Sequence, residues 1–389
     1  MKRICIVTST RAEFGLLLPL IKKVIDDDNL ELKLAVTGTH LSKNFGETYK
    51  EIIQNNIPID EKIDILQNDD GKLNVLKVMS TALTKFGEYF SNLKPDLLVI
   101  LGDRYEMLSV AEAAMVLNIP IAHIHGGETT QGAIDEAIRH SISKMSYLHF
   151  TSCESYRNRV IQLGEDPARV FNVGALGVEN IKKLNLMSLK DIEKSIDFDL
   201  SPKFCLVTFH PVTLDNQDMT KQFTELLSAI SKHKEYKFIF TKSNADSGGN
   251  AINNMIDKYV ENNSNCIAFY SLGFIRYLSA MKYCSMVIGN SSSGIIETPS
   301  FCVPTINIGD RQKGRLQAES IINCKPEKED VLKAFDIATS KTFQESIKDL
   351  KSPYDGGNTS DRIVTIIKDF LFNKEINLQK KFYDIEFEV

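Results

Sequence analysis

One stretch of this sequence decides the fold around it: Val287-Ile288-Gly289-Asn290-Ser291-Ser292-Ser293-Gly294-Ile295-Ile296-Glu297. An apolar run stops at a glycine, three serines follow, and an apolar pattern with helical spacing resumes at once. Backbone N–H groups and hydroxyls are therefore predicted to converge at a helix N-terminus, a geometry that binds phosphate. Serine-rich turns and helix caps have the same composition, so the position after a buried strand is what favours a phosphate site.

Composition limits what the rest of the chain can be. At 389 residues the chain exceeds the roughly 250 to 300 residues at which single cores stop growing, so two domains are expected. Its 51 acidic and 46 basic residues give a net charge of -5, which argues against a general nucleic-acid surface. No run approaches the ~18 apolar residues of a membrane span, so no membrane insertion is expected.

Two further features favour a cytoplasmic protein. The apolar segment at the N-terminus, within residues 1–8, is too short for a secretion signal and is interpreted as a first strand. The seven cysteines are odd in number and contain no C-x-x-C pair, and several fall inside predicted strands. They are therefore predicted to be buried, reduced thiols.

Short apolar strands alternate with helical patterns along the chain, which is typical of βαβ units and parallel sheets. The predicted strands are 4–8, 32–37, 96–101, 119–123, 148–151, 170–173, 204–208, 236–241, 266–270, 285–289 and 304–308. A change of pattern around 177–203 predicts a boundary between a domain of residues 1–180 and a domain of residues 203–360. The predicted fold class is α/β, with two Rossmann-like, doubly wound domains facing each other across a ligand-binding cleft.

Polar residues gather where the predicted strands end. In the first domain the clusters are 9–15, 102–106 and 123–128; in the second they are 209–211, 243–246 and the serine-rich stretch. Any single cluster is weak support for a site. Six clusters at six strand ends point together to one functional edge.

These clusters carry a resemblance to a known family. The motifs are Thr8-Ser9-Thr10-Arg11-Ala12-Glu13-Phe14-Gly15, Leu101-Gly102-Asp103-Arg104-Tyr105-Glu106, His123-Ile124-His125-Gly126-Gly127-Glu128, the segment 135–145, Gly289-Asn290-Ser291-Ser292-Ser293-Gly294 and the segment 308–315. From residue 1 to about 375, the sequence resembles the hydrolysing UDP-N-acetylglucosamine 2-epimerases, bacterial enzymes of sialic-acid and related nonulosonic-acid synthesis.

The resemblance implies a glycosyltransferase-B type of fold without a metal or nicotinamide cofactor. It also implies that a last helix, within about residues 361–375, packs back on the first domain. A homodimer or a dimer of dimers is the implied assembly.

The serine-rich stretch is predicted to bind the UDP leaving group. Hydroxyls and N–H groups come from Ser291, Ser292, Ser293 and Gly294, and the helix dipole favours the developing negative charge. Arg11, in the first loop of the other domain, is the predicted cationic partner of the diphosphate.

Other binding roles rest mainly on the resemblance. It assigns Glu297 to the ribose and backbone groups of the helix 274–283 to uracil. It also assigns His210 to the phosphate and sugar, where His210 is counted with the catalytic residues. The remaining predicted binding residues are His125, Arg139, Asn244, Gly273, Phe274 and Arg311.

Proton transfer is predicted to depend on Asp103, Glu128 and Asp135, with Glu136 as an alternative to Asp135. The pKa of a carboxylate at the mouth of a closing cleft can be raised toward neutrality by desolvation and by neighbouring carboxylates. Abstraction of a weakly acidic C2 proton requires such a base. Asp103 is the first choice for the base because the preceding strand fixes its position. An N-cap for a helix at 105–117 is the alternative role of Asp103.

Three structural alternatives stay open at this stage. His123 and His125, two residues apart on a strand, would share one face and suggest a metal, although no third ligand is obvious. Asp135 and Arg139 have the spacing of a helix-surface ion pair. The basic segment 310–315 either closes over the substrate or is a solvated loop.

The predicted activity converts UDP-N-acetylglucosamine and water to N-acetylmannosamine and UDP, by elimination to a 2-acetamidoglycal and hydration. UDP-2,4-diacetamido-2,4,6-trideoxyglucose (UDP-N,N'-diacetylbacillosamine), a precursor of legionaminic acid, is the alternative substrate, because the motifs do not settle recognition at C4 and C6. A glycosyltransferase of the same architecture would have no clear need of the three carboxylates. A nucleotide-sugar sensor would tolerate their loss while keeping the serine-rich stretch.

Overall fold

The structure is a computed structural model that describes residues 1–67, 71–131, 133–211, 218–243 and 249–386. The chain forms two compact units: the first comprises Met1–Glu128, Asp135–Asn180 and Tyr354–Val389, and the second comprises Thr129–Ile134 and Ile181–Pro353. The prediction assigned 129–134 to the first domain, but this short segment groups with the second unit. Among the described residues, no helix has the length and apolarity needed to cross a membrane.

The first unit is built on a seven-stranded parallel sheet. Its strands are β1 (Lys2–Thr8), β2 (Leu30–Thr37), β3 (Glu61–Ile63), β4 (Leu97–Leu101), β5 (Ile121–Ile124), β6 (Leu148–Thr151) and β7 (Val170–Asn172). Its helices are α1 (Arg11–Ile25), α2 (Tyr49–Gln54), α3 (Lys72–Leu93), α4 (Tyr105–Val116), α5 (Asp135–Met145), α6 (Glu154–Gln162), the start of α7 (Leu176–Lys183), and α15 (Thr359–Asn373). The strand order is β3-β2-β1-β4-β5-β6-β7.

The second unit carries a six-stranded parallel sheet. Its strands are β8 (Phe204–Thr208), β9 (Lys237–Thr241), β10 (Cys266–Phe269), β11 (Met286–Gly289), β12 (Thr305–Ile308) and β13 (Ile321–Cys324), in the order β10-β9-β8-β11-β12-β13. The helices are α8 (Leu189–Ile196), α9 (Met219–Ile230), α10 (Gly249–Glu261), α11 (Phe274–Tyr283), α12 (Ser292–Ile296), α13 (Lys328–Thr339) and α14 (Lys341–Ser346). Both strand orders are those of a doubly wound Rossmann sheet, so the predicted α/β class with two Rossmann-like units is confirmed.

Alternation along the strands explains why both faces of each sheet are covered. On β1, Ile4 and Ile6 join a core cluster formed with α1 and α15, while Cys5 and Val7 join a second cluster formed with α3 and α4. On β8, Val207 and Leu206 likewise enter opposite clusters. A strand buried on both sides reads as a continuous apolar run, which is the pattern the sequence displays.

The predicted strands are all present, but two further strands were missed. β3 has one buried residue in three and β13 one in four, and both lie at a sheet edge. All seven cysteines are free thiols, five of them buried, whereas Cys302 and Cys324 are partly exposed.

Candidate functional site

In the first sheet the strand order reverses between β1 and β4, and ligands of doubly wound sheets bind at this switch point. The turn after β1 is fixed by a capping box, in which the Thr10 hydroxyl accepts from the Glu13 amide (3.3 Å) and the Glu13 carboxylate accepts from the Thr10 amide (3.2 Å). Arg11 is therefore the first residue of α1. A cation at this end opposes the helix dipole, so Arg11 does not stabilise its own helix through that dipole.

Asp103 follows β4 on the other side of the switch point, where it forms an ion pair with Arg139 of α5. The Arg139 side chain is 1% exposed, and a second guanidinium nitrogen donates to Glu136 (2.9 Å) and to the carbonyl of Glu128 (2.9 Å). Burial alone would lower the pKa of Arg139, but the carboxylates of Asp103, Glu128 and Glu136 raise it above its ordinary value. Arg139 thus stays charged and ties two strand-end turns together.

This geometry bears on two of the alternatives drawn from the sequence. The N-cap of α4 is Arg104, not Asp103, and the Arg104 side chain makes no capping hydrogen bond. Arg139 does more than pair along its own helix: besides Glu136 of α5, its buried guanidinium contacts the Asp103 carboxylate and the Glu128 carbonyl from two other segments.

The turn after β5 is unusually tight. β5 ends at Ile124, and His125 adopts a left-handed backbone with φ 66°, so His123 and His125 do not share a strand face as the metal alternative required. Gly127 also has a positive φ of 78°, and a Cβ there would overlap the carbonyl oxygen of Tyr156. The His-Gly-Gly sequence is what allows the chain to turn here and bring Glu128 back to the strand ends.

Glu128 is 3% exposed, and one carboxylate oxygen accepts from the Ser152 hydroxyl (2.9 Å) and lies 3.5 Å from His125 Nδ1. Asp135 begins α5, one helical turn before Arg139. The first unit therefore brings Asp103, Glu128 and Arg139 together through direct contacts, with Asp135 on the helix that carries the arginine.

In the second unit the switch point lies between β8 and β11, and the serine-rich stretch follows β11. Ser291 is the N-cap and accepts from the Ser293 amide (3.4 Å), while the Glu297 amide donates to the carbonyl of Ser293 (3.0 Å). The helix N-terminus predicted for Ser292 and Ser293 is present. However, α12 has only five residues before a 3-10 turn at Thr298–Phe301, so its dipole is far shorter than the sequence suggested.

Asn290 joins this stretch to its neighbours. Its side-chain amide both accepts from the His210 backbone N–H (2.7 Å) and donates to the His210 carbonyl (2.8 Å). The Asn290 carbonyl accepts from Arg311 (3.0 Å) and from the buried Gln312 (2.8 Å). The buried Asn290 therefore connects three segments: the turn after β8, the start of the serine-rich stretch and the segment 310–315. The segment 310–315 is thus not simply a solvated loop.

Comparison with known proteins identifies the family. A family model described as UDP-N-acetylglucosamine 2-epimerase matches residues 22–368. The chain belongs to this family. It is 46% identical over 386 residues to a Campylobacter jejuni protein named GDP/UDP-N,N'-diacetylbacillosamine 2-epimerase (hydrolyzing), covering 99% of each chain. It is 44% identical over 386 residues to the Escherichia coli polysialic acid biosynthesis protein P7, covering 99% of this chain and 98% of that one.

A solved structure supports the same fold for this 2-epimerase family member. A Staphylococcus aureus structure, described as an MnaA–UDP co-structure, superposes with a TM-score of 0.81 at 18% identity. The match covers 97% of this chain and 99% of the other. At this identity the likeness concerns the fold alone.

The helix assigned to uracil by resemblance is present in this family member as α11, with the bounds predicted from the sequence. Gly273 is its N-cap with φ 72°, and its amide donates to the Ser271 hydroxyl (3.0 Å). Phe274 is the first helical residue and is partly exposed. Asn244 lies outside the described residues.

Sequence reasoning missed a pair of buried carboxylates beneath the Arg11 turn. The Ser9 hydroxyl lies 3.0 Å from the Glu13 carboxylate and 2.6 Å from that of Glu106, which also accepts from Arg104 (2.7 Å). Burial, followed by the negative charge of Glu106, raises the pKa of Glu13 to about 7. The capping-box spacing of Thr10 and Glu13 would have identified one member of this pair; Glu106 has no comparable local signal.

Proposed function

We propose that this protein is a hydrolysing UDP-N-acetylglucosamine 2-epimerase that converts UDP-N-acetylglucosamine and water to N-acetylmannosamine and UDP. The observation that carries the proposal is the buried Arg139, which joins Asp103 to the turn of Glu128 in a chain that belongs to the 2-epimerase family. Two carboxylates held this rigidly at strand ends suit proton transfer at a defined carbon.

In the proposed reaction, a carboxylate takes the proton from C2 while the C1–O bond breaks. The electron pair of the C1–O bond leaves with UDP. The electrons of the C2–H bond form the C1=C2 double bond of a 2-acetamidoglycal. Water then adds its oxygen to C1, and C2 receives a proton on the opposite face. We assign the first proton transfer to Asp103, and the hydration to Glu128 and Asp135.

We assign UDP to the second unit, with Arg11 of the first unit as an additional cation for the diphosphate. Hydroxyls and backbone N–H groups of Ser291, Ser292, Ser293 and Gly294 would bind phosphate oxygens, an assignment that does not require a long helix dipole. Arg311 and His210 are held beside this stretch through Asn290, which supports a role for both in diphosphate binding.

The nucleoside and sugar contacts complete the assignment. We assign Glu297 to the ribose, and Gly273, Phe274 and Asn244 to the uridine side of the substrate. His125 is assigned to the sugar. Arg139 is proposed to act by positioning Asp103 and, through it, the sugar, because its buried guanidinium pairs with the Asp103 carboxylate and donates to the Glu128 carbonyl.

A second substrate is supported by one observation. The 46% identical Campylobacter relative is named for N,N'-diacetylbacillosamine, whereas the 44% identical Escherichia relative is named for polysialic acid synthesis. The same elimination and hydration on UDP-N,N'-diacetylbacillosamine would give a 2,4-diacetamido sugar and UDP. The two proposed substrates would undergo the same reaction and differ in the groups at C4 and C6.

Incubation with each UDP-sugar in D2O tests the proposal. We expect UDP and a free 2-epimerised sugar with one deuterium at C2, detected by NMR and mass spectrometry, and the larger kcat/KM identifies the substrate. Asp103→Asn should retain UDP binding but lose turnover by at least about 100-fold, whereas the exposed Asp28→Asn control should match the wild type. Release of UDP with no deuterium at C2 would rule out elimination, and transfer of the sugar to an acceptor would indicate a glycosyltransferase.

We further propose that the protein acts in the cytoplasm as a homo-oligomer. The seven free thiols favour a reducing compartment. Exposed apolar residues on α3 and at the end of α4 support self-association through the first unit.

A further inference from the structure

The segment that links two of the proposed catalytic carboxylates does not belong to their unit. Glu128 and Asp135 are in the first unit, while the residues Thr129–Ile134 between them are in the second. Thr129 and Thr130 are buried there. Whatever holds Thr129 therefore also acts on Glu128, across a single peptide bond.

Thr129 is held by the last residue of the segment 310–315. Arg315 Nε donates to the Thr129 carbonyl (2.8 Å), and Arg315 Nη2 lies 3.4 Å from the Thr130 hydroxyl. The approach is close, because a Cβ on Gly314 would lie 2.8 Å from the Gln131 side-chain nitrogen and 3.2 Å from the Thr129 hydroxyl. Gly314 has a φ of 81°, a conformation that favours glycine.

The other end of the same segment is bound to the serine-rich stretch. Arg311 and Gln312 donate to the carbonyl of Asn290, the residue before Ser291. The Arg315 amide donates to the Gln312 carbonyl (3.2 Å), which closes the segment into a compact turn. Thus 310–315 contacts the start of the proposed phosphate site at one end and the residue after Glu128 at the other.

Two arginines consequently fix two successive carbonyls. Arg139 donates to the carbonyl of Glu128 and pairs with Asp103, and Arg315 donates to the carbonyl of Thr129. We propose that Arg315 is a positioning residue through which occupancy of the UDP site in the second unit sets the placement of Glu128. The inference rests on the proposed function and adds a coupling that the assignment of binding and catalytic residues does not contain.

Hydrogen exchange with UDP as the probe, combined with kinetics, tests this coupling. In the wild type, saturating UDP should slow amide exchange of residues 126–131. In Arg315→Ala, UDP should bind within about threefold of the wild-type Kd, but the protection of 126–131 should be lost. The kcat should fall on the order of 10- to 100-fold with little change in KM. Arg315→Lys should recover part of kcat, because an ammonium reaches one acceptor but not two.

Arg362→Ala is the matched control, since the Arg362 guanidinium likewise makes two hydrogen bonds, here to the carbonyls of Gly356 and Asn172, but is exposed. It should leave kcat and the UDP-dependent protection unchanged. If Arg315→Ala unfolds, Arg315→Gln carries the same measurements. Retained protection and kcat in the Arg315 variant would overturn the inference, as would a UDP Kd weakened more than about tenfold, which would make Arg315 a nucleotide ligand.

The two proposals fail differently. A wild-type protein that binds UDP without protecting residues 126–131 loses the coupling but keeps the proposed function. A wild-type protein that does not bind UDP loses both. If UDP protects 126–131 but neither UDP-sugar is turned over, the coupling stands and the proposed substrates are wrong.

Discussion

The Glu13 carboxylate fixes a turn by hydrogen bonds, and its burial makes stability depend on pH. It accepts from the amides of Ser9 (2.7 Å) and Thr10 (3.2 Å), which fixes the turn that begins α1. The same carboxylate is buried beside Glu106, so the pKa of Glu13 is raised to about 7. The folded protein therefore holds a proton there that the unfolded chain, with a pKa of about 4.5, releases earlier.

This difference predicts a pH-dependent effect of Glu13→Gln. The favourable contribution of protonated Glu13 is fully present below pH 4.5 and is lost as the pH rises through about 7. The glutamine keeps an acceptor oxygen but cannot ionise. The free energy of unfolding of the Glu13→Gln variant, relative to that of the wild type, should therefore rise between pH 5 and pH 8, by roughly 3 kcal/mol at most. Urea denaturation of both proteins at several pH values measures this difference.

The difference between the two proteins is the informative quantity. Burial lowers the pKa values of His40 and His123 to about 3, so both histidines make stability rise between about pH 3 and pH 6.5, the opposite sign. They are present in both proteins and cancel. A difference that stays flat from pH 5 to pH 8 would contradict a raised pKa at Glu13.

Residue by residue, the sequence identified the chemical groups but not their connections. Asp103 and Glu128 were found from strand-end motifs, and Arg139 from the helical segment 135–145. That Arg139 joins the other two was not predictable, because its partners are 11 and 36 positions away and depend on where α5 packs. Arg315 is similar, since its contact with Thr129 spans 186 positions.

At the level of elements, burial decided which strands could be predicted. Central strands such as β4, in which every residue is buried, have continuous apolar runs. The edge strands β3 and β13 have one buried residue each and lack a continuous apolar run. The short length of α12 was also hidden, because the apolar residues after Gly294 fit a longer helix equally well.

The turn after β11 depends on the hydrogen bonds of one side chain, that of Asn290. Asn290 is buried, and its side chain makes two hydrogen bonds to the backbone of His210. Asn290→Ala would leave the partly buried N–H and carbonyl of His210 without these partners. We expect a loss of roughly 2 to 4 kcal/mol in the free energy of unfolding and about tenfold weaker UDP binding, measured by urea denaturation and calorimetry.

Asn323→Ala is the matched control for this substitution. Asn323 lies in the same unit and hydrogen-bonds Asn307 (2.7 Å) and Gln317 (2.7 Å), but it is exposed on β13. Its replacement should change stability by less than about 1 kcal/mol and leave UDP binding intact. Equal effects of the two substitutions would show that Asn290 does not organise the turn.

Across the whole molecule, the same design occurs twice. In each unit the strand order reverses between the strand that comes first in the sequence and the strand that comes fourth: β1 and β4 in the first unit, β8 and β11 in the second. Each unit carries its candidate residues at that point. The rule for doubly wound sheets was enough to locate both groups of residues from the sequence. The grouping of Thr129–Ile134 with the second unit was not, because nothing in its composition distinguishes it from a surface loop.

The first unit also presents exposed apolar residues to which we assign the proposed self-association. On α3, Leu73 (67% exposed) and Leu76 (62%) lie near one face with Leu83, and α4 ends in Val116 (71%). A groove between α3 and α4 is lined by Leu83, Gly87, Ala113, Val116 and Leu117, with Glu88 and a few uncharged polar residues beside it. Exposed apolar residues beside a groove support an interface, and a pair of helices can pack against its own copy about a twofold axis.

Val116→Glu should therefore dissociate the proposed oligomer, because it places a charge at the most exposed apolar position of this surface. Light scattering after size-exclusion chromatography should give at least a dimer for the wild type and a monomer for the variant at micromolar concentration. Ile337→Glu, at a similarly apolar and half-exposed position on α13 of the second unit, should leave the oligomer intact. A monomeric wild type would rule out the proposed self-association. A Val116→Glu variant of unchanged mass would show that the subunits associate through a surface other than the one formed by α3 and α4, two helices that contact each other.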